Sequence, residues 1–262
     1  MAELADAYGS GPYGATRGGS SPLVSTPANE VNGAYTAQDA GSIQRMFARI
    51  ASRYDLANAL LSVGSDHFWR QYVARRVAAW RPRRLLDVAS GSGALAAALQ
   101  RAVPDAEVVS ADFCAPLLLR SRRRRLKRLV VADALALPFA NGVFDVVTVA
   151  FGLRNMASYE RALSEMHRVL APGGHLVILD FSLPTGVLLS PYRLYLHHAL
   201  PRIAGWLTGV PEAYEYLGES IERFPRGETM LELLRNVGFA EANHKPLSAG
   251  VVSVYTASGS NG

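Results

Sequence analysis

A run of small residues between a strand pattern and a helix pattern is the first place where this sequence could bind a ligand. The apolar run 85–89 leads into Ser90-Gly91-Ser92-Gly93, and a helix pattern starts at the next residue. Glycines let a ligand approach the backbone closely, and the free N–H groups of a new helix can receive polar ligand groups. Such a turn is typical of nucleotide-type cofactor sites, although the spacing of the two glycines also fits a dinucleotide fingerprint and a plain tight turn.

Two acidic residues follow the next two strand patterns along the chain. Asp112 follows the run 107–111, where a carboxylate can accept both hydroxyls of a ribose, and Asp133 with Ala134 follows the run 129–132. The carboxyl ends of parallel strands meet at one edge of a sheet, in the crevice where α/β proteins bind ligands. The three turns together therefore favour a nucleoside cofactor over unrelated surface acids.

Strand and helix patterns alternate through the middle of the chain. This alternation predicts an α/β fold in which a mostly parallel sheet is covered by helices on both faces. The predicted strands are 85–89, 107–111, 129–132, 144–150 and 175–181, followed by an antiparallel hairpin of 239–245 and 251–257. The predicted helical segments are 42–61, 66–80, 94–102, 114–127, 158–170, 187–222 and 228–237. The helical insertion before the hairpin lies where a substrate lid is expected.

The composition excludes several classes of protein. The 262 residues contain one cysteine, Cys114, so neither a disulfide scaffold nor a cysteine-clustered zinc site is expected. Residues 1–42 are rich in Gly, Ser, Ala and Pro without hydrophobic periodicity, which predicts a disordered tail. We find neither a secretory signal nor a transit-peptide pattern, and prolines and basic residues interrupt the apolar stretch 183–210. A cytoplasmic protein is therefore expected.

The net charge of +5 comes from one short basic segment. Residues 120–128 carry seven basic side chains, whereas residues 1–42 have a balance of −3 and the rest of the chain is nearly neutral at +1. Nucleic acid is not expected as a partner, because a protein that binds it spreads its basic residues over a face. The basic segment is interpreted either as a solvated helix end whose cations complement the helix dipole, or as a contact with an anionic membrane surface.

Four further stretches resemble the ubiquinone and menaquinone biosynthesis C-methyltransferases, which are class I S-adenosylmethionine-dependent methyltransferases. They are residues 53–64 with Trp69; residues 150–155; residues 168–174 with 180–182; and residues 200–203 and 214–224 with 248–252. The Gly-Leu-Arg-Asn motif at 152–155 is far more specific than the glycine turn. The resemblance covers residues 43–256 and implies a Rossmann-like, doubly wound, mostly parallel sheet of seven strands with an antiparallel C-terminal hairpin and a helical lid.

This resemblance also implies a cofactor and a reaction. S-adenosylmethionine would donate a methyl group to a ring carbon of a polyprenylated quinol, with demethylmenaquinol favoured and the ubiquinone precursor as a further acceptor. The implied cofactor contacts are Ser90, Gly91, Ser92 and Gly93 at the methionine end, Asp112 at the ribose, Asp133 and Ala134 at the adenine, and Ala150 beside them. Asp87 is expected to order the glycine turn.

The implied catalytic residues come from two of the resembling stretches. Arg154 is expected to be exposed after the fourth strand and to hold developing phenolate charge with its planar guanidinium, with Asn155 beside it. Tyr54 is expected to close the pocket. The candidates for the proton acceptor, chosen by residue type alone, are Asp180, His197 and His198.

The organisation of the chain follows from these patterns. We expect a disordered tail at 1–42 and one methyltransferase domain at 43–262. Its parts are N-terminal helices at 43–82, a cofactor-binding core at 83–182, a helical substrate lid at 183–238 and a hairpin at 239–258. Contact with an anionic membrane at its inner face and a homodimer are left open. The alternatives are a methyltransferase for another small or lipidic acceptor, a non-catalytic nucleotide-binding protein, and an NAD oxidoreductase that uses the same glycine turn.

Overall fold

The computed structural model of the chain describes residues 62, 64–202 and 212–259, except for the side chains of residues 212–215. Four of the predictions lie outside these described residues. They are the tail at 1–42, the helix at 42–61, the pocket-closing Tyr54 and the middle of the lid at 203–211. The strands and the turns that follow them lie inside, so the candidate site can be built from its residues.

A seven-stranded sheet forms the centre of the molecule, in the order β3-β2-β1-β4-β5-β7-β6. The strands are β1 (Arg84–Val88), β2 (Glu107–Asp112), β3 (Arg128–Val131), β4 (Phe144–Ala150), β5 (Leu170–Phe181), β6 (Glu241–Leu247) and β7 (Val252–Ser258). Strands β1 to β5 pair in parallel, whereas β7 runs antiparallel between β5 and β6. The predicted α/β fold with an antiparallel C-terminal hairpin is confirmed.

Helices connect the parallel strands. The α-helices are α1 (Asp66–Ala78), α2 (Ala94–Ala102), α3 (Ala115–Arg120), α4 (Tyr159–Val169), α5 (Leu189–Leu194), α6 (Glu212–Arg223) and α7 (Glu228–Asn236). Short 3-10 segments lie at Ser121–Arg124, Leu153–Asn155, Gly186–Leu188 and Ser248–Gly250, and a π-helical segment lies at Tyr195–Ala199. The start of α4 is capped as its sequence suggests, because the Ser158 hydroxyl accepts a hydrogen bond from the backbone N–H of Arg161.

The central strands of the sheet are buried on both faces, which explains their mostly apolar sequences, whereas the edge strands β3 and β6 are partly exposed. Val146 packs on one face in a cluster with Val73 of α1 and Leu99 of α2. The next residue, Val147, points to the other face and packs in a cluster with Met166 of α4. Since successive side chains of a strand alternate, a strand between two helical layers has apolar residues at most positions on both faces. Each such buried side chain stabilises the fold by roughly 1.5–3 kcal/mol.

The strand order reverses between β1 and β4, and this reversal positions the site. β2 and β3 extend from one side of β1, while β5 extends from the far side of β4. Val88, at the end of β1, is in register with Ala111 of β2 and Val149 of β4. The turns that follow these three strands therefore emerge together, at the kind of switch point where open α/β sheets bind ligands.

The predicted helix at 114–127 is wrong in its second half. α3 ends at Arg120, the 3-10 segment follows, and Arg125 reverses the chain with a φ of +65°. The reversal turns Leu126 inward, where it is buried beside the glycine turn. Residues 122–125 are exposed on this tight turn rather than on the last turns of a long helix. The helix-dipole interpretation of the basic segment therefore loses most of the helix on which it depended.

Two other boundaries also differ from the sequence patterns. β5 begins at Leu170 rather than at residue 175, because Leu170 pairs with Phe144 before the ladder shifts register. The predicted helical stretch 187–222 is divided among a 3-10 segment, α5, the π-helical segment and α6. Among the described residues, no helix is both long and apolar enough to cross a membrane.

Candidate functional site

A cavity opens at the carboxyl edge of the sheet, at the point where the strand order reverses. It encloses about 170 Å³, and its wall combines residues from the turns after β1, β2, β3 and β4. The predicted cofactor contacts that line it are Gly91, Asp112, Asp133 and Ala134. Apolar side chains, including Phe113, Leu117 and Met156, complete the wall. The structure thus brings together residues from three separate turns that the sequence places up to 43 positions apart.

Asp112 joins two of these turns. One carboxylate oxygen accepts the backbone N–H of Gly91 at 2.7 Å, and the other accepts that of Cys114 at 2.8 Å. Burial raises the pKa of Asp112, although these two hydrogen bonds favour its charged form. Each carboxylate oxygen has a second lone pair, so the group can still accept hydroxyls of a ligand in the cavity.

The neighbouring polar residue, Asp133, is held more loosely. Its carboxylate accepts the backbone N–H of Leu135 at 2.9 Å, which closes a local turn beside Ala134. Both residues line the cavity next to Asp112. A planar ligand group lying here would contact the Ala134 side chain and the polar backbone of this turn.

The glycines of the first turn serve different purposes. Gly91 lines the cavity and has a φ of +56°. Gly93 lies on the opposite side of the turn, where a Cβ atom would come within 2.5 Å of Leu126 and 2.6 Å of Ser121. Gly93 therefore permits close packing of the turn, with a φ of +78° that strongly favours glycine. Gly91 is the glycine at which a ligand in the cavity can approach the backbone directly.

Asp87 orders the glycine turn through side-chain hydrogen bonds, as expected. Its carboxylate accepts the hydroxyls of Ser90 and Thr148, each at 2.7 Å, and so joins the turn after β1 to strand β4. The side chain is almost completely buried. Burial raises the pKa of Asp87 to about 6, against the opposing effect of these hydrogen bonds.

A second, smaller cavity adjoins the first along Ala89, which lines both. Three predicted cofactor contacts, Ser90, Ser92 and Ala150, line this second cavity. Arg70 of α1 also lines it, and the sequence analysis missed this residue. A usable signal was present, because Arg70 follows Trp69 of the amino-terminal motif and lies one helical turn after Asp66.

The turn after β4 approaches the first turn very closely. Phe151 has a φ of +58°, an uncommon conformation for a bulky residue, and its neighbour Gly152 faces Ala89. A Cβ atom at position 152 would lie 2.5 Å from that of Ala89. Strained backbone of this kind is concentrated at functional sites, where the surrounding structure maintains it.

Asn155 lines the larger cavity on this side. Its amide oxygen accepts the hydroxyl of Tyr216 at 3.3 Å, which connects the turn after β4 to helix α6. Its amide nitrogen donates to the backbone carbonyl of Phe151 at 3.4 Å. Asn155 therefore lies between the larger cavity and helix α6.

Arg154 is buried, so the prediction that it is exposed is wrong. Its side chain is 6% exposed, and one guanidinium nitrogen donates to Asp180 at 2.5 Å and to the carbonyl of Phe151 at 2.7 Å. The guanidinium carbon lies 5.3 Å from the centre of the Phe181 ring. A charge is retained in the interior only when it is paired, and Asp180 supplies that pairing.

The three candidates for the proton acceptor do not lie at one common site. Asp180 is fully buried and paired with Arg154, which removes it from the cavity wall. His197 lies on the π-helical segment and is exposed, with a ring nitrogen 3.2 Å from a carboxylate oxygen of Glu222. His198 is exposed beside it. Neither histidine lines either cavity described above.

Three aromatic rings pack together where α1, the turn after β4 and the end of β5 meet. Trp69, Phe151 and Phe181 form a cluster in which ring centres are 4.7–6.1 Å apart. The indole N–H of Trp69 donates to the hydroxyl of Ser248 at 2.8 Å, so α1 is tied to the turn of the C-terminal hairpin. This contact joins residues 179 positions apart in the chain.

Cys114, the single cysteine, is a buried free thiol. The thiol is fully buried between Leu117 and Phe113, both of which line the larger cavity. Burial also raises the pKa of Cys114, which disfavours the reactive thiolate. In the part of the chain that the structure describes, no group of three or more His, Cys, Asp or Glu residues is arranged to hold a metal ion.

Comparisons with known proteins place this geometry among methyltransferases. The model of the ubiE/COQ5 methyltransferase family matches residues 35–259. A demethylmenaquinone methyltransferase of Thermus thermophilus is 45% identical over 216 residues, covering 80% of this chain and 98% of that protein. The demethylmenaquinone methyltransferase of Deinococcus radiodurans is 43% identical, covering 83% and 93%. The ubiquinone/menaquinone biosynthesis C-methyltransferase UbiE of Dinoroseobacter shibae is 38% identical, covering 83% and 90%.

Solved structures share the fold at much lower identity. A methyltransferase of Thermotoga maritima, described as a possible histamine N-methyltransferase, has a TM-score of 0.57 at 17% identity and covers 82% of this chain and 98% of its own. Human N-acetylserotonin methyltransferase, solved in complex with S-adenosylmethionine, has a TM-score of 0.55 at 15% identity, covering 79% and 56%. These likenesses support the fold alone.

Proposed function

This chain belongs to the ubiE/COQ5 methyltransferase family, and from that premise we propose that it transfers a methyl group from S-adenosylmethionine to a ring carbon of a polyprenylated quinol. The proposed acceptor is demethylmenaquinol, the substrate class named for the relatives from Thermus and Deinococcus. The single observation that carries the proposal is that Gly91, Asp112 and Asp133 line one cavity together with Asn155 of the Gly-Leu-Arg-Asn motif.

The residues around the two cavities fit this cofactor. Asp112 would accept the ribose hydroxyls, Asp133 and Ala134 would lie at the adenine, and Gly91 would allow the backbone to approach. The remaining proposed contacts, at the methionine end, are Ser90, Ser92 and Ala150, with Gly93 acting through the packing of the turn. Bound here, S-adenosylmethionine supplies an electrophilic methyl group on a sulfonium sulfur.

The acceptor side has to orient a ring and receive a proton. A new carbon–carbon bond would form as the carbon–sulfur bond breaks, after the quinol has lost a hydroxyl proton. The ring proton at the methylated carbon then leaves and the ring oxygen regains a proton, so that one proton is released overall. Fixing the ring carbon in line with the methyl group can lower the barrier by about 7–11 kcal/mol. Asn155, at the cavity wall, would contact the ring oxygen directly.

The structure changes the role that we propose for Arg154. A guanidinium paired with Asp180 is poorly placed to bind a phenolate directly, because it would have to leave a buried carboxylate unpaired. We assign it a positioning role instead, since it holds the carbonyl of Phe151 and with it the turn that carries Asn155. Closure of the pocket by Tyr54 stays a prediction, as that residue lies outside the described part of the chain.

A lipid-soluble acceptor requires the enzyme to meet a membrane, and two exposed features support peripheral contact. Phe68, at the start of α1, and Val187, after β5, are large apolar side chains that are 72% and 90% exposed. The basic residues 122–125 are exposed on the turn after α3, and each could contribute about 1 kcal/mol near an anionic surface. Co-sedimentation with anionic liposomes should weaken when residues 122–125 are reversed in charge. Binding that is the same on anionic and neutral liposomes and is unaffected by the charge reversal would reject the contact.

The main experiment offers both quinols in parallel. Purified protein with S-adenosylmethionine carrying a deuterated methyl group is incubated with demethylmenaquinol and with the demethylated ubiquinol precursor, and products are read by mass spectrometry. We expect label in the menaquinol. The ubiquinol precursor is the second candidate, because the relative from Dinoroseobacter is named for both quinones. Label in neither quinol would contradict the proposal and favour another small or lipidic acceptor.

Calorimetry separates the remaining alternatives. A methyltransferase should bind S-adenosylhomocysteine, whereas an oxidoreductase that uses the same glycine turn should bind NAD. Binding of S-adenosylhomocysteine without any methyl transfer would favour a non-catalytic nucleotide-binding protein. Gel filtration of the same sample would show whether the chain is a monomer or a homodimer, which the sequence leaves open.

A further inference from the structure

We propose that Arg70 binds the carboxylate at the methionine end of the cofactor, an assignment that rests on the proposed S-adenosylmethionine chemistry. Arg70 projects from α1 into the smaller cavity, whose wall also contains Ser90, Ser92 and Ala150. Ser90 and Ser92 belong to the glycine turn and Ala150 ends β4, and all three are proposed contacts of the amino-acid end of the cofactor. The guanidinium is thus placed at the end of the site that has to receive a charged ligand group.

The charges of this cavity match those of the proposed ligand. The amino-acid end of S-adenosylmethionine carries one carboxylate and one ammonium group. Among the described residues that line the cavity, Arg70 is the cation and Asp87 is the acid. A planar guanidinium fork matches the two oxygens of a carboxylate, so Arg70 would take the carboxylate.

Two contacts hold the guanidinium in place. One terminal nitrogen donates to Asp66, one helical turn earlier, in an ion pair whose side chains are 12% and 19% exposed. The guanidinium carbon also lies 5.4 Å from the centre of the Phe151 ring, at a distance suited to a cation–π contact. A guanidinium has five N–H donors. Among the described residues, Asp66 is its hydrogen-bond partner, which leaves donors for a ligand.

The position of Arg70 also separates it from the adenosine end. The larger cavity, with Asp112 and Asp133, lies on the other side of Ala89. A ligand that lacks the amino-acid end should therefore be insensitive to Arg70. This difference allows the proposal to be tested by comparing two ligands rather than by loss of activity.

The test measures the affinities of S-adenosylhomocysteine and of 5′-methylthioadenosine by calorimetry. Methylthioadenosine keeps the adenine, the ribose and the sulfur but lacks the carboxylate and the ammonium. Arg70→Ala should weaken binding of S-adenosylhomocysteine about 10- to 100-fold and leave methylthioadenosine unchanged, and Arg70→Lys should recover part of the loss. Arg75→Ala removes an exposed cation from the same helix and should change neither affinity.

Several outcomes would overturn the assignment. Equal losses for both ligands in Arg70→Ala would indicate a structural role, and no loss for either would exclude contact. If Arg70→Ala does not fold, Arg70→Met, which keeps the apolar stem over Phe151, is measured instead with the same two expectations. Failure of the unmodified chain to bind S-adenosylhomocysteine would reject the cofactor and Arg70 together. Failure to methylate the quinol would leave the role of Arg70 standing.

Discussion

On the side of the carboxyl edge where we propose that the cofactor binds, the turns after β1, β2 and β3 are held by hydrogen bonds from backbone N–H groups to carboxylates. The proposed acceptor side depends instead on pairs of side chains from distant parts of the chain. Asp112 binds the backbone of Gly91 and of Cys114, two residues further on. On the acceptor side, Trp69 binds Ser248, and Arg154 is paired with the buried Asp180.

This difference predicts that substitutions on the two sides will change different measured properties. Backbone contacts on the cofactor side survive most changes of side chain, since only a few carboxylates and glycines are required there. The acceptor side is assembled by α1, the turn after β4, the lid and the hairpin, which meet only in the folded chain. Substitutions on the acceptor side should therefore change stability and turnover, and those on the cofactor side should change affinity for S-adenosylhomocysteine.

The largest effect is expected from Arg154→Ala. It leaves the Asp180 carboxylate buried without its partner, which should lower the free energy of unfolding by about 3–5 kcal/mol in urea denaturation. Affinity for S-adenosylhomocysteine should change little, while turnover falls. The double variant Arg154→Met, Asp180→Asn should regain most of the stability, because no uncompensated charge remains. Wild-type stability in the single variant would refute the buried pair, and undiminished turnover would end any role in catalysis.

Asp87 stands at the boundary between the two sides and gives a pH-dependent test. Its pKa is raised from 3.8 to about 6 in the folded chain, so the folded state holds a proton that the unfolded state releases. Its contribution to stability is therefore greatest below about pH 4 and is lost as the pH rises through 6. Relative to the wild type, Asp87→Asn should gain up to about 3 kcal/mol between pH 4 and 7. Parallel pH profiles of the two chains would contradict this.

On the cofactor side, Asp112→Ala should weaken binding of S-adenosylhomocysteine about 10- to 100-fold. The variant removes the acceptor of two backbone N–H groups and the proposed partner of the ribose. Calorimetry measures the affinity, and methylthioadenosine should lose as much because it has the same ribose. Asp105→Asn, an exposed acid in the turn after α2, is the matched control. If Asp112→Ala lowered only the affinity for the quinol, Asp112 would belong to the acceptor side, which would contradict the comparison.

The smallest effect is expected from Trp69→Phe, which keeps an aromatic ring but removes the N–H donated to Ser248. We expect a loss of about 1 kcal/mol in stability and a lower rate of quinol methylation, with no change in affinity for S-adenosylhomocysteine. Ser248→Ala should have a similar effect, and the double variant should add little to either, because the two residues share one hydrogen bond. Additive losses would show that Trp69 and Ser248 act separately.

The parts that the sequence predicts best are those set by local patterns. Parallel strands at the centre of a sheet are mostly apolar because both of their faces are buried, so the sequence predicts β1, β2, β4 and β5 directly. β3 and the hairpin follow from short β-prone runs bounded by turns. The convergence of Gly91, Asp112 and Asp133 also followed, because parallel strands bring their carboxyl ends to one edge.

The parts that the sequence does not predict depend on distant partners. No local pattern indicates that Arg154 would find Asp180, 26 positions later, and be buried by it. The basic segment 120–128 fits a helix by propensity alone, but Leu126 has to turn inward beside Gly93, so the helix ends at Arg120. Arg70 was missed because its neighbours in the smaller cavity come from β1 and β4 rather than from its own helix.

The close approach of Gly152 to Ala89 also has a consequence for how the sequence can evolve. With 2.5 Å between the Ala89 methyl and any Cβ at position 152, a nucleotide change that places a side chain at position 152 forces the turns after β1 and β4 apart. A second substitution that adds volume at position 89 cannot relieve this clash, so the two codons form a linked pair. Among diverged relatives, we expect a side chain at position 152 only where position 89 has become glycine.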